Sequence, residues 1–84
     1  MNKKHRKTLE AIFEVPVRSD IVWKDIETLF KSLGGELSSG RGSRVRVALR
    51  GVRAVFHRPH PRKETDRGSV QSVRRFLKET GVKP

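Results

Sequence analysis

Residues 40–57 read Gly-Arg-Gly-Ser-Arg-Val-Arg-Val-Ala-Leu-Arg-Gly-Val-Arg-Ala-Val-Phe-His, and this stretch decides the fold. On both sides of Arg50-Gly51, apolar residues alternate with arginines or other residues at a period of two. Such alternation is typical of strands that bury one face. Because glycine readily takes a positive φ, Arg50-Gly51 is predicted to form a two-residue hairpin turn. The sequence therefore predicts an antiparallel hairpin, with Val52–His57 as the return strand.

The position of the turn also predicts which residues of the hairpin face each other. Leu49 is expected to pair with Val52, and a slip of one residue would move every side chain to the other face. The apolar face is predicted to contain Val45, Val47, Leu49, Val52, Ala54 and Phe56. The opposite face is predicted to contain Arg44, Arg46, Arg50 and Arg53, and to pair Arg46 with Val55 and Arg44 with His57.

Two helices are predicted before the hairpin from apolar residues at helical spacing. The first covers Lys3–Glu14. The second has an apolar stripe over Val22–Leu33, and Gly34-Gly35 is expected to end it. The residues predicted to be available to cap this second helix are Ser19 and Asp20. A short strand is predicted at Glu36–Ser39, between the second helix and the hairpin.

A basic loop and a third helix are predicted after the hairpin. Residues 58–63 are broken by prolines and form the loop. Thr65 or Asp66 is expected to cap the final helix, which stops at Gly81. The residues predicted to face inward from this helix are Val70, Val73, Phe76 and Leu77.

The order of these elements predicts an α+β domain, with a small three-stranded antiparallel sheet packed on helices. A chain of 84 residues has room for one such domain. We divide it into an N-terminal helix and connector, residues 1–20, and an α-β-β-β-α unit, residues 21–84. Trp23 and Phe56 fall on apolar faces and are predicted to be core residues, not platforms on which bases stack.

The charge of the chain indicates a polyanionic partner. Twenty Lys and Arg residues against nine Asp and Glu give a net charge of +11. Such an excess favours binding to nucleic acid, and the planar guanidinium of arginine suits phosphate. The alternatives are a membrane surface or a charged face that only keeps the sheet soluble. The residues predicted to bind nucleic acid are Arg44, Arg46, Arg50, Arg53, Arg58, His60, Arg62 and Lys63.

Several classes of function are disfavoured by what the sequence lacks. It contains no cysteine, which excludes disulfides and thiolate metal sites and fits a reducing cytoplasm. No apolar run is long enough to span a bilayer, and no phosphate-binding glycine loop or serine nucleophile motif occurs. A metal site at His57 and His60 is not expected, because no third ligand is near in the sequence. No cofactor is expected.

A helix ending in Leu33-Gly34, then Gly42-Ser43, two strands, His60-Pro61 and a last helix ending at Gly81 together resemble the HicA family over roughly Val22–Val82. HicA proteins are toxins of bacterial HicA–HicB toxin–antitoxin systems. The resemblance implies a fold like a double-stranded-RNA-binding domain and a ribonuclease that cleaves mRNA in the bacterial cytoplasm. It also implies a HicB-like antitoxin that covers the RNA-binding surface.

The family usually has its catalytic histidine directly after Gly-Ser, where this chain has Arg44. Since His57 is predicted to face Arg44 across the hairpin, we hypothesise that His57 is the general base and that Arg44 and Arg46 stabilise the phosphate. One alternative is an RNA-binding module of the same fold without catalysis. Another is a basic domain that binds DNA or the ribosome, although no helix-turn-helix pattern supports DNA binding.

Overall fold

The computed structural model describes residues 1–84. The elements follow one another as α1 (Lys3–Ile12), β1 (Ile21–Val22), α2 (Trp23–Ser32), β2 (Glu36–Ser39), β3 (Arg44–Leu49), β4 (Val52–His57), β5 (Glu64–Thr65) and α3 (Arg67–Thr80). One antiparallel sheet has the strand order β2-β3-β4, and β1 and β5 form a separate two-stranded ladder. The predicted α+β class and three-stranded sheet are confirmed, while the short β1–β5 ladder was not predicted.

The hairpin of β3 and β4 has the predicted register. Leu49 faces Val52, and the pairs run without a break to Arg44 opposite His57. Arg50 and Gly51 both have positive φ, at 50° and 80°, as a two-residue turn of the primed type requires. Because this turn has the same twist as the strands it joins, the hairpin keeps one continuous buried apolar face and one face toward solvent.

The core lies between the sheet and the helices and contains four aromatic rings. Trp23 and Phe30 of α2, Phe56 of β4 and Phe76 of α3 have ring centroids 5.5–5.8 Å apart, which is typical of favourable aromatic pairs. Trp23 and Phe56 are 4% and 7% exposed. Both are core residues, as predicted, and neither ring is available to stack on a base.

The start of α2 differs from the prediction. Its N-cap is Val22, which has no side-chain cap hydrogen bond, so neither Ser19 nor Asp20 caps the helix. Asp20 instead accepts a hydrogen bond of 2.7 Å from Arg18. The physical reason is the β1–β5 ladder, which holds residues 21 and 22 extended up to the first residue of α2. The backbone N–H of Trp23 then donates to the carbonyl of Lys63 at 3.0 Å.

The N-terminal helix α1 joins the same core as the rest of the chain. Leu9 and Ile12 are buried with the apolar residues of α2, α3 and the sheet. The Arg74 guanidinium of α3 donates to the carbonyls of Ile12 and Glu14 at 2.9 and 2.7 Å. It also lies 5.8 Å from the ring centroid of Phe13. Arg74 therefore satisfies carbonyl groups at the end of α1, which has no basic residue of its own there.

The ends of α3 are as predicted. Asp66 is the N-cap, and its carboxylate accepts a hydrogen bond of 2.7 Å from the backbone N–H of Ser69. Gly81 ends the helix in the left-handed conformation with φ 83°. Thr65, the other predicted cap, is buried in β5 instead. None of the three helices has the length and apolar character needed to cross a membrane.

Candidate nucleic-acid interface

The solvent-facing side of the three-stranded sheet, called here the outer face, contains alternate residues of β2, β3 and β4. The register aligns them in three rows: Glu36, Ala48 and Arg53; Ser38, Arg46 and Val55; and Arg44 with His57. Arg44, Arg46 and Arg53 are all exposed, and none of them forms an ion pair. Their guanidinium groups are therefore free to bind an anion from outside the chain.

A shallow groove of about 590 Å³ runs over the outer face. Residues from all three strands line it, including Arg46, Arg53 and Val55. Val55 is 54% exposed, so the groove combines cationic groups with an exposed apolar side chain, and Glu36 also lines it. No aromatic residue lines it, which leaves charge and shape as the means of recognition.

One end of the sheet is closed by a contact between the Gly42-Ser43 turn and the residue after β4. The backbone N–H of Arg58 donates to the carbonyl of Ser43 at 2.8 Å. Gly42 has φ 62°, which glycine adopts without a steric penalty. Gly42 and Ser43 on one side and Pro59 and His60 on the other line a cleft of about 520 Å³.

Arg58, which also lines this cleft, is held by the carboxylate of Glu27 on α2. Its Nε donates to Glu27 Oε2 at 2.7 Å and its Nη2 to Glu27 Oε1 at 3.3 Å, while Nη1 donates to Ser39 Oγ at 3.1 Å. The indole N–H of Trp23 donates to the same carboxylate. Burial raises the pKa of Glu27, but the hydrogen bonds from Arg58 and Trp23 outweigh it and hold the pKa below its usual value.

The loop after β4 also forms a pocket of about 290 Å³, smaller than the groove and the cleft. His57 and His60 both line it, and both are exposed. The charged residues that also line it are Arg58, Arg62, Glu64 and Asp66. This pocket therefore brings two imidazoles together with guanidinium groups, although the residues come from β4, the loop, β5 and the start of α3.

A family model described as HicA toxin of bacterial toxin–antitoxin matches residues 23–82. The chain belongs to the HicA toxin family. HicA toxins work in toxin–antitoxin systems, in which an antitoxin is their partner. The match begins at α2 and ends just after α3, so α1 lies outside it. No curated protein and no solved structure matches the chain.

In this HicA toxin, the predicted site residues lie in two places, the outer face of the sheet and the loop after β4. Arg44, Arg46 and Arg53 lie on the outer face as expected, and Arg44 faces His57. Arg62 and Lys63 are exposed in the loop, and His60 lies in the pocket beside His57.

The prediction that Arg50 lies on the outer face is wrong. Arg50 is a turn residue, and its Nη1 lies 3.4 Å from the carbonyl oxygen of Thr80 at the end of α3. Its positive φ takes it out of the strand alternation on which the prediction was based. The carbonyl end of a helix attracts a cation, which explains why this side chain turns toward α3.

Sequence reasoning also missed the partner of Arg58. Glu27 lies outside the apolar stripe of α2, and a charged residue on such a helix face is usually solvated. In this HicA toxin, however, the Glu27 side chain is only 15% exposed. The one available signal was the spacing of four residues between Trp23 and Glu27, which brings the indole N–H and the carboxylate to one side of the helix.

Proposed function

We propose that this HicA toxin binds RNA and is a metal-independent mRNA endoribonuclease of the bacterial cytoplasm, which a HicB-like antitoxin neutralises. The observation that carries the proposal is the pairing of Arg44 with His57 on the exposed face of the sheet. This pairing gives the hairpin a histidine directly opposite the position after Gly42-Ser43. We assign the activity to residues 21–84 and treat residues 1–20 as an addition to that unit.

RNA binding is supported by the unpaired arginines of the outer face. Between Gly40 and Lys63 the chain has eight Lys or Arg residues and no Asp or Glu. Guanidinium groups that have no carboxylate partner are free to donate paired hydrogen bonds to phosphate. Because no aromatic ring lines the groove, binding is expected to depend on the backbone and to fall steeply as the salt concentration rises.

The proposed chemistry needs one base and one cationic group at the scissile phosphate. His57 accepts the proton of a ribose 2′-hydroxyl while that oxygen attacks the adjacent phosphorus. Arg44, with Arg46 two residues further along β3, stabilises the negative charge that builds up on the phosphate oxygens. Neither role requires a metal ion.

Neutralisation by an antitoxin is supported by the same surface. A partner that covers the outer face would have to compensate Arg44, Arg46 and Arg53, so an acidic patch on the antitoxin is expected. Val55 offers that partner an exposed apolar contact between these cations. An antitoxin seated there would also exclude RNA.

A second candidate function is RNA binding without catalysis. The observation that favours it is Arg44 itself, because the resemblance to HicA toxins implies a histidine at that position. In this case the outer face would still bind RNA, and the toxin would act by occlusion or by titration of its antitoxin.

The test is cleavage of a long mRNA in EDTA by the purified wild-type protein, by His57→Ala and by Arg44→Ala. Cleavage by the wild type and a loss of about 100-fold or more in His57→Ala would support the ribonuclease. His5→Ala is the matched control, because His5 lies on α1, outside the proposed unit. Salt-sensitive RNA binding with no cleavage by the wild type would favour RNA binding without catalysis. Full cleavage by His57→Ala would rule out His57 as the base.

A further inference from the structure

We propose that His60 is the general acid of the reaction in which His57 is the base, so that the toxin cleaves RNA with a pair of histidines. This inference rests on the proposed ribonuclease function and adds a residue to it. The observation behind it is that His57 and His60 line one pocket of about 290 Å³ together with Arg58 and Arg62.

Both imidazoles are available to a ligand. Neither His57 nor His60 forms a side-chain hydrogen bond within the protein, and neither is buried. A histidine with a structural role usually donates or accepts a hydrogen bond inside the protein. The two rings are therefore free to exchange protons with a bound nucleotide.

The loop that contains His60 is fixed at both ends. At its start, Arg58 is held by its backbone bond to Ser43 and by its side-chain bonds to Glu27. At its end, the Lys63 carbonyl accepts the N–H of Trp23, and β5 pairs with β1. His60 itself lies between Pro59 and Pro61, whose rings restrict φ on both sides. The backbone on both sides of His60 is therefore held before RNA binds, which favours the positioning that acid–base catalysis requires.

The pocket also contains charges that suit a phosphodiester. Arg58 and Arg62 line it beside the two histidines, and Arg44 faces His57 across the hairpin. The carboxylates on the same pocket belong to Glu64 of β5 and Asp66 of α3. Asp66 accepts a hydrogen bond as the N-cap of α3, and Arg58 is bound to Glu27. Arg62 is therefore the cation of this pocket that has no carboxylate partner.

The step balances without a metal or an oxidant. As the 2′-oxygen bonds to phosphorus, its proton moves to the neutral imidazole of His57. The bond between phosphorus and the 5′-oxygen then breaks, its electron pair stays on that oxygen, and protonated His60 donates the proton that makes it a hydroxyl. The products are a 2′,3′-cyclic phosphate and a 5′-hydroxyl end, and proton exchange with water restores both histidines.

A leaving group that needs no proton distinguishes an acid from a base. The test compares an ordinary RNA with an RNA whose scissile 5′-oxygen is replaced by sulfur, because a thiolate leaves without protonation. His60→Ala is expected to cleave the ordinary linkage about 100- to 10,000-fold more slowly than the wild type, but the sulfur linkage at close to the wild-type rate. His57→Ala is expected to be slow on both linkages, and the control His5→Ala to be unchanged on both.

The outcomes separate this inference from the proposed function. Wild-type rates for His60→Ala on ordinary RNA would overturn the acid role and leave the ribonuclease intact, as would slow cleavage of both linkages by a folded His60→Ala. A wild type that cleaves neither linkage would overturn both proposals. His60→Gln is a second variant that keeps a polar side chain between the two prolines, and it is expected to show the same rescue by sulfur.

Discussion

The arginines of this toxin fall into two groups: those bound to a carboxylate of the chain, and those of the outer face, which are not. Arg18 in the connector donates to Glu14 and Asp20 at 2.8 and 2.7 Å, and Arg58 at the end of β4 donates to Glu27 at 2.7 Å. The hydrogen bonds to Asp20 and Glu14 raise the pKa of Arg18, and the bond to Glu27 raises that of Arg58. On the outer face, by contrast, no arginine forms an ion pair.

The difference teaches that net charge alone does not identify a binding surface. Arginines that have a carboxylate partner hold parts of the chain together: Arg18 holds the connector, and Arg58 joins the sheet end to α2. Arginines without one, such as Arg44 and Arg46, repel each other in the folded protein and contribute no internal ion pair. A partner outside the chain is what would compensate their charge.

The largest expected effect is on RNA affinity and comes from the arginines of the outer face. Replacing Arg44, Arg46 and Arg53 together by Ala is expected to lower RNA affinity roughly 10-fold or more. The salt dependence should also weaken, with the slope of log K against log salt falling by about two, because up to three phosphate contacts are lost. Filter binding of a single-stranded RNA over a range of salt concentrations measures both quantities.

An arginine that is bound to carboxylates, Arg18, supplies the control for this experiment. Arg18→Ala removes one positive charge outside the outer face and is expected to leave the RNA affinity close to that of the wild type. An equal loss of affinity per charge in Arg18→Ala would show that RNA responds to net charge and not to the outer face.

The next largest effect is on stability and concerns Glu27. Glu27→Gln keeps the shape of the side chain but removes the charge that binds Arg58, and it weakens the acceptor for the Trp23 indole. We expect the free energy of unfolding to fall by about 1–3 kcal/mol, since one of the two oxygens that accept from Arg58 and Trp23 becomes an NH₂ group. Urea denaturation measures it, and the exposed Glu10→Gln on α1 is the control that should show little change. A stability equal to that of the wild type would mean that the Glu27–Arg58 contact does not hold the sheet end.

The same contact predicts a dependence on pH. The pKa of Glu27 is lower in the folded protein than its usual value of 4.5. The stabilisation is therefore present above about pH 4.5 and is lost as the pH falls through the folded pKa. The difference in unfolding free energy between wild type and Glu27→Gln should thus be larger at about pH 7 than at about pH 3. A difference that grows on acidification would contradict the assigned cause.

The smallest effect is expected for the two exposed ion pairs of Arg18. The side chains of Arg18, Glu14 and Asp20 are 40%, 53% and 66% exposed, so water screens their interaction. The thermal midpoint of Arg18→Ala should shift less than that of Glu27→Gln. A larger shift would show that the connector, and not the α2 network, contributes more to stability.

Much of the fold followed from local patterns. The pairs from Leu49–Val52 to Arg44–His57, the end of α3 at Gly81 and the core positions of Trp23 and Phe56 were predicted from spacing and turn chemistry. The cap of α2 and the position of Arg50 were not, because each depends on a contact with a distant segment. Of the candidate site, the outer-face arginines and the Arg44–His57 pair were predicted. The pocket shared by His57 and His60 was not predicted.

The sequence by itself determined the hairpin, its register and the excess of positive charge on its outer face. These depend on neighbours in the chain, because side-chain alternation and a two-residue turn act over a few residues. Only the tertiary structure decided the partners of Arg58 and Arg50. Arg58 meets Glu27 across 31 residues and Arg50 meets Thr80 across 30, and such contacts exist only after the helices and the sheet have packed together.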